Sequence, residues 1–73
     1  MTLYHYDISG DHPYRDEDGT EHVGDRAAWR VAVKLVRDVE EHLRPNGKWA
    51  LTVRSGERVV YVIEVTATSN LIP

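Results

Sequence analysis

Trp49-Ala-Leu-Thr-Val-Arg54 and Val59-Val-Tyr-Val-Ile-Glu-Val65, on either side of Ser55-Gly56, decide the fold of this chain. Both runs are rich in β-branched and aromatic residues, and a Gly-containing tight turn between two such runs folds them into a hairpin. The second run breaks the alternation of a strand with one wet face, since six of its seven residues are apolar and only Glu64 interrupts them. Side chains alternate along a strand, which sets Val59, Tyr61, Ile63 and Val65 on one face and Val60, Val62 and Glu64 on the other. Both faces need cover, and a chain with one helix covers only one of them. The expectation is a homo-oligomer, a dimer in its simplest form, that covers the open sheet face either by face-to-face pairing or by joining edge strands into a continuous sheet.

Upstream of the hairpin the pattern changes period. From Arg26 to Leu43, apolar residues recur at Ala28, Ala32, Leu35, Val36, Val39 and Leu43, the i, i+3, i+4, i+7 spacing of an amphipathic helix, with Trp29 and Val31 at the borders of the stripe. Asp25 stands where an N-cap belongs, and Pro45-Asn46-Gly47 closes the far end. Before the helix, Tyr4, Tyr6 and Ile8 alternate with His5 and Asp7, which reads as a strand with its tyrosines inward. Tyr14-Arg15 and Thr20-Glu-His-Val23 are expected to form a short second hairpin about Asp16-Glu17-Asp18-Gly19. The fold class is therefore α+β: a small antiparallel sheet of ββαββ order with one helix packed on one face, in a single domain spanning residues 1–73.

A chain of 73 residues is near the lower limit for a self-sufficient core, and without cysteine it has neither disulfides nor a thiolate metal site to help it. Association with another chain is the remedy left. No apolar run reaches the roughly 18 residues that span a bilayer, and Met1-Thr-Leu-Tyr-His-Tyr lacks the basic start of a signal peptide, so a cytoplasmic protein is expected. The net charge of −3 is unevenly spread: residues 1–25 carry seven acids against Arg15 alone, a net −6, and residues 26–73 carry eight bases against five acids, a net +3.

With the elements placed, the chain resembles a known family. The strand ending Tyr4-His-Tyr-Asp7, then Asp16-x-Asp18-Gly19, Asp25, the helix start Ala27-Ala28 and the Gly-turned C-terminal hairpin are similar to short, mostly alphaproteobacterial proteins grouped as domain of unknown function 6894. His5 stands where that family usually has an aromatic residue, and the last turn is shorter than is usual. The resemblance implies the fold and implies no catalytic activity.

Candidate sites follow from the residues themselves. Arg26, Arg30, Lys34 and Arg37 form a basic stripe on the helix, running against the macrodipole, since Glu40 and Glu41 occupy its negative end. Lys34/Asp38 and Arg37/Glu41 are spaced to offset that cost as ion pairs. Trp29 at the border of the stripe, with Val33 one turn on, has the composition of an interface centre. The stripe suits an acidic protein partner or phosphates, but net negative charge and the lack of a nucleic-acid motif argue against nucleic acid. His5, His12 and His22 lie among acids in a combination that zinc accepts, yet without the spacing of a ligand pair, so no metal and no cofactor are expected. No nucleophile sits beside a base, and the chain reads as a non-enzymatic binding module, the alternatives being a nucleic-acid-associated protein using the basic helix face or a weak His/Asp metal-binding protein.

Overall fold

The C-terminal hairpin forms about a turn one residue later than the sequence suggests. In the computed structural model, described here for residues 1–69, Ser55 pairs with Arg58 and the turn is Gly56-Glu57. Gly56 takes a positive φ of 61°, as the first position of a type II′ turn requires. The hairpin strands are β3 (Lys48–Ser55) and β4 (Arg58–Thr66); they follow β1 (Thr2–Gly10), β2 (Thr20–His22) and α1 (Asp25–Glu41). The four strands form one antiparallel sheet in the order β2-β1-β3-β4. The order along the chain is the expected ββαββ, but β1 has been inserted between β2 and the hairpin.

The helix covers one face of this sheet. Tyr4 and Tyr6 of β1, Leu51 and Val53 of β3, and Ala28 and Ala32 of α1 are buried together, with Ile8, Val31, Leu35, Val36, Val60, Tyr61 and Ile63 packed around them. Two alanines at the contact bring the helix backbone close to the sheet, and the Tyr6 hydroxyl donates to the Ala28 carbonyl at 3.3 Å. Trp49 is buried at the start of β3.

Three local expectations are corrected. Gly24, not Asp25, caps α1: its carbonyl accepts from the amides of Ala27 and Ala28, and Asp25 is the first residue of the helix. The helix ends at Glu41, where the amides of His42 and Leu43 fall back on the carbonyls of Val39 and Glu40 in a tightened last turn. The segment after β1 makes no separate hairpin about residues 16–19; β2 pairs instead with the start of β1, Tyr4 opposite Thr20, and Tyr14 bridges Ile8. Between those points the Asp16 carboxylate replaces a strand, accepting the Tyr6 amide at 3.1 Å and the Gly19 amide at 3.0 Å.

The strand β4 contains the correction that matters for function. Its register with β3 shifts between Val53 and Arg54, so that Val53 faces Tyr61 while Arg54 faces Val59, and Val60 is the extra residue of a bulge. Val59 therefore leaves the row it was expected to share with Tyr61, Ile63 and Val65 and lies with Val62 on the face away from the helix.

Candidate interaction surface

The face away from α1 is not the apolar plain that alternation suggested. His5 pairs with Arg54 and Asp7 with Thr52 on that side, and an ion pair of 2.6 Å joins Arg54 to Asp7. Arg54 also donates to the Asp16 carbonyl, His5 contacts the same carbonyl at 2.9 Å, and Asp7 accepts the Asp16 amide. Burial pushes the Asp7 carboxyl up, but the Arg54 hydrogen bond, the Asp16 amide and the Arg54 charge outweigh it, so the group lies below its ordinary value. Burial likewise pushes Asp16 up, and the amides of Gly19 and Tyr6 more than offset it. This cluster ties the loop to β1 and β3 and makes the middle of the open face polar.

Apolar exposure is concentrated instead around β4. Val59 and Val62 are 58% and 55% exposed on the open face. On the helix side, Trp29 is 43% exposed, its ring 5.0 Å from that of Tyr61, and it lines a shallow groove with Arg30, Val33, Lys34 and Arg37. Tyr61, Ile63 and Val65 face α1: Tyr61 donates to the Asp25 carbonyl at 2.9 Å, and Ile63 and Val65 line an apolar gap beneath Val36 and Val39. Those three belong to the core side of the sheet and not to its uncovered face.

The two edges of the sheet differ. The outer edge of β1 is closed by β2, the Asp16 carboxylate and Tyr14, whose amide and carbonyl both bond Ile8. On the outer edge of β4, nine residues long, no described residue makes a hydrogen bond. Leu71-Ile72-Pro73 lies outside the described residues.

The helix charges are equally unpartnered. Among the described residues the ion pairs are Asp7–Arg54 and Asp25–Arg58, so the expected Lys34/Asp38 and Arg37/Glu41 pairs do not form. Arg26, Arg30, Lys34 and Arg37 all stand free in solvent. The three N-terminal histidines are dispersed: His5 is on Asp16, His22 meets the Tyr6 hydroxyl at 2.9 Å, and His12 lies beside the Trp49 ring. No group of three His, Asp or Glu among the described residues is arranged to hold a metal ion, and no helix among them is long and apolar enough to cross a membrane.

One family model, that of Domain of unknown function (DUF6894), matches residues 3–66 of the chain. The chain belongs to this family. No curated protein and no solved structure matches it. In this DUF6894 domain, Trp29, Val33 and the basic stripe were legible from helical spacing, whereas Val62 and the exposed edge were not. Alternation assigns faces to a strand but says nothing of which strand is outermost, and the bulge reverses even the face of Val59.

Proposed function

We propose that the domain is a non-enzymatic interaction module that works as a homodimer, with β4 of one copy paired antiparallel to β4 of another. The outer edge of β4, bare among the described residues, carries this reading. An unpaired edge strand presents a row of free amides and carbonyls, and proteins that stay monomeric guard such edges with lysine, proline, bulges or a covering segment. The edge of β1 is guarded in that way. β4 has its bulge near the start, but from Tyr61 to Thr66 the only charged residue is Glu64. Exposed Val59 and Val62 supply the apolar surface that such a joint buries. Face-to-face pairing of two sheets, the other arrangement open to the sequence, would bury the charged groups of Asp7 and Arg54.

Light scattering at tens of micromolar should report twice the monomer mass. Val62→Lys should give a folded monomer, because the added charge guards the edge without touching the core. A monomeric parent chain at that concentration overturns the reading. The alternative of phosphate binding rests on the four unneutralised helix cations and predicts retention on RNA or DNA that falls steeply with salt. The net charge of −3 weighs against it.

A further inference from the structure

Resting on that reading, we infer that the same two-fold axis brings α1 of one copy against α1 of the other, antiparallel and centred on Val33, and that this helix pair selects the second copy as partner. The placement of α1 over β4 leads to this. Its start is fixed on β4 by Asp25, which bonds Arg58 and Tyr61, Trp29 lies on Tyr61, and Val36 and Val39 lie over Ile63 and Val65. Val33 therefore sits above the stretch Tyr61–Ile63, whose middle residue is Val62. An axis through Val62 in the sheet passes Val33 in the helix layer.

The separation also fits. The helix packs mainly on β3 and β4, with a smaller contact to β2. With strands about 4.8 Å apart, a helix centred over that pair lies about 5 Å from an axis just outside β4, so two copies place their helix axes about 10 Å apart. That is a packed helix–helix distance. The flank facing the axis carries Arg26, Trp29, Val33, Arg37 and Glu40, spaced three and four residues apart in a single stripe.

Antiparallel about Val33, the stripe is complementary to itself. Arg26 meets Glu40 of the second copy, Trp29 meets Arg37 of the second copy in cation–π reach, and Val33 meets its own equivalent. The charges that oppose the helix's own macrodipole, and find no partner among the described residues, are matched by a helix running the other way. Self-complementarity of this kind is what a two-fold interface demands.

The chain contains no cysteine, so single cysteines report proximity cleanly. Under mild oxidation, Val33→Cys should form a covalent dimer, as should Val62→Cys, while Glu17→Cys on the remote loop should not. Crosslinking at Val62→Cys without crosslinking at Val33→Cys leaves the joined sheet standing and overturns the helix pair. Crosslinking at neither overturns both, and equal crosslinking at Glu17→Cys shows chance collision and overturns the inference. Arg26→Glu should raise the dimer Kd about tenfold, since two matched pairs become repulsive. Adding Glu40→Arg should restore it, and a swap that restores nothing counts against the pairing.

Discussion

Asp25 shows how one carboxylate holds two ends of the fold. It accepts the Tyr4 hydroxyl at 2.5 Å and is gripped by both terminal nitrogens of Arg58, so the start of the helix is fixed to β1 and β4 together. The Arg58 hydrogen bonds, then the Tyr4 hydroxyl, hold its carboxyl below the ordinary range, and the same contact with Asp25, followed by burial, pushes Tyr4 up. Lowered carboxyls contribute stability that is present above their unfolded values near about 4 and is lost as pH falls through the folded ones. Asp7, Asp16 and Asp25 all act in this sense, so stability should decline as the pH drops below about 4. The raised tyrosines, Tyr4 and the buried Tyr6, contribute stability that is present below about pH 10 and lost as pH rises through their folded values. Thermal melts across pH should show Asp7→Asn lowering stability by about 1–2 kcal/mol at neutral pH, with a shallower acid decline. An acid decline of parental steepness in Asp7→Asn and Asp25→Asn alike would remove these carboxylates from the account.

Among the elements, the helix and β1 were legible because each rests on a local period, 3.6 residues for the stripe Ala28 to Val39 and two for Tyr4, Tyr6 and Ile8, and the last hairpin because β-branched runs flank a Gly turn. What was not legible depends on tertiary hydrogen bonding. Asp25 has the chemistry of a cap, but Tyr4 and Arg58 claim its oxygens, and Gly24 is left to cap with its carbonyl alone. The bulge at Val60 has no marker of its own in a run of valines, so Val59 was placed on the wrong face. Two substitutions test the packing of elements. Leu35→Ala, at the helix–sheet contact, should remove about 2–4 kcal/mol, which denaturant melts will read as a large fraction of the whole. Gly10 has a φ of 117°, and a methyl there would stand 2.1 Å from the Lys48 carbonyl oxygen. Gly10→Ala should therefore part the ends of β1 and β3 and lower the melting temperature by about ten degrees or more, as a loss of at least 2 kcal/mol would. Parental melting of Gly10→Ala would mean that this pairing is absent in solution.

Over the whole molecule, the proposed homodimer makes stability depend on protein concentration. Because association stabilises the folded chain by mass action, the melting temperature should rise as protein concentration is raised from one to a hundred micromolar. In Val62→Lys it should not move. Arg30, Lys34 and Arg37 changed together to Gln should leave the fold intact, with stability within about 1 kcal/mol once the same dimer fraction is compared. Circular dichroism melts at several concentrations separate these effects. The position of β1 carries a different consequence, for the order in which the molecule is made. It is a central strand, yet its neighbour β3 is synthesised only after β2 and α1. Until then Tyr4 and Tyr6 have no Leu51 or Val53 to lie beside, and the growing chain holds a helix without a floor. Folding must wait for the last hairpin, so a chain that stops before Lys48 should stay unfolded.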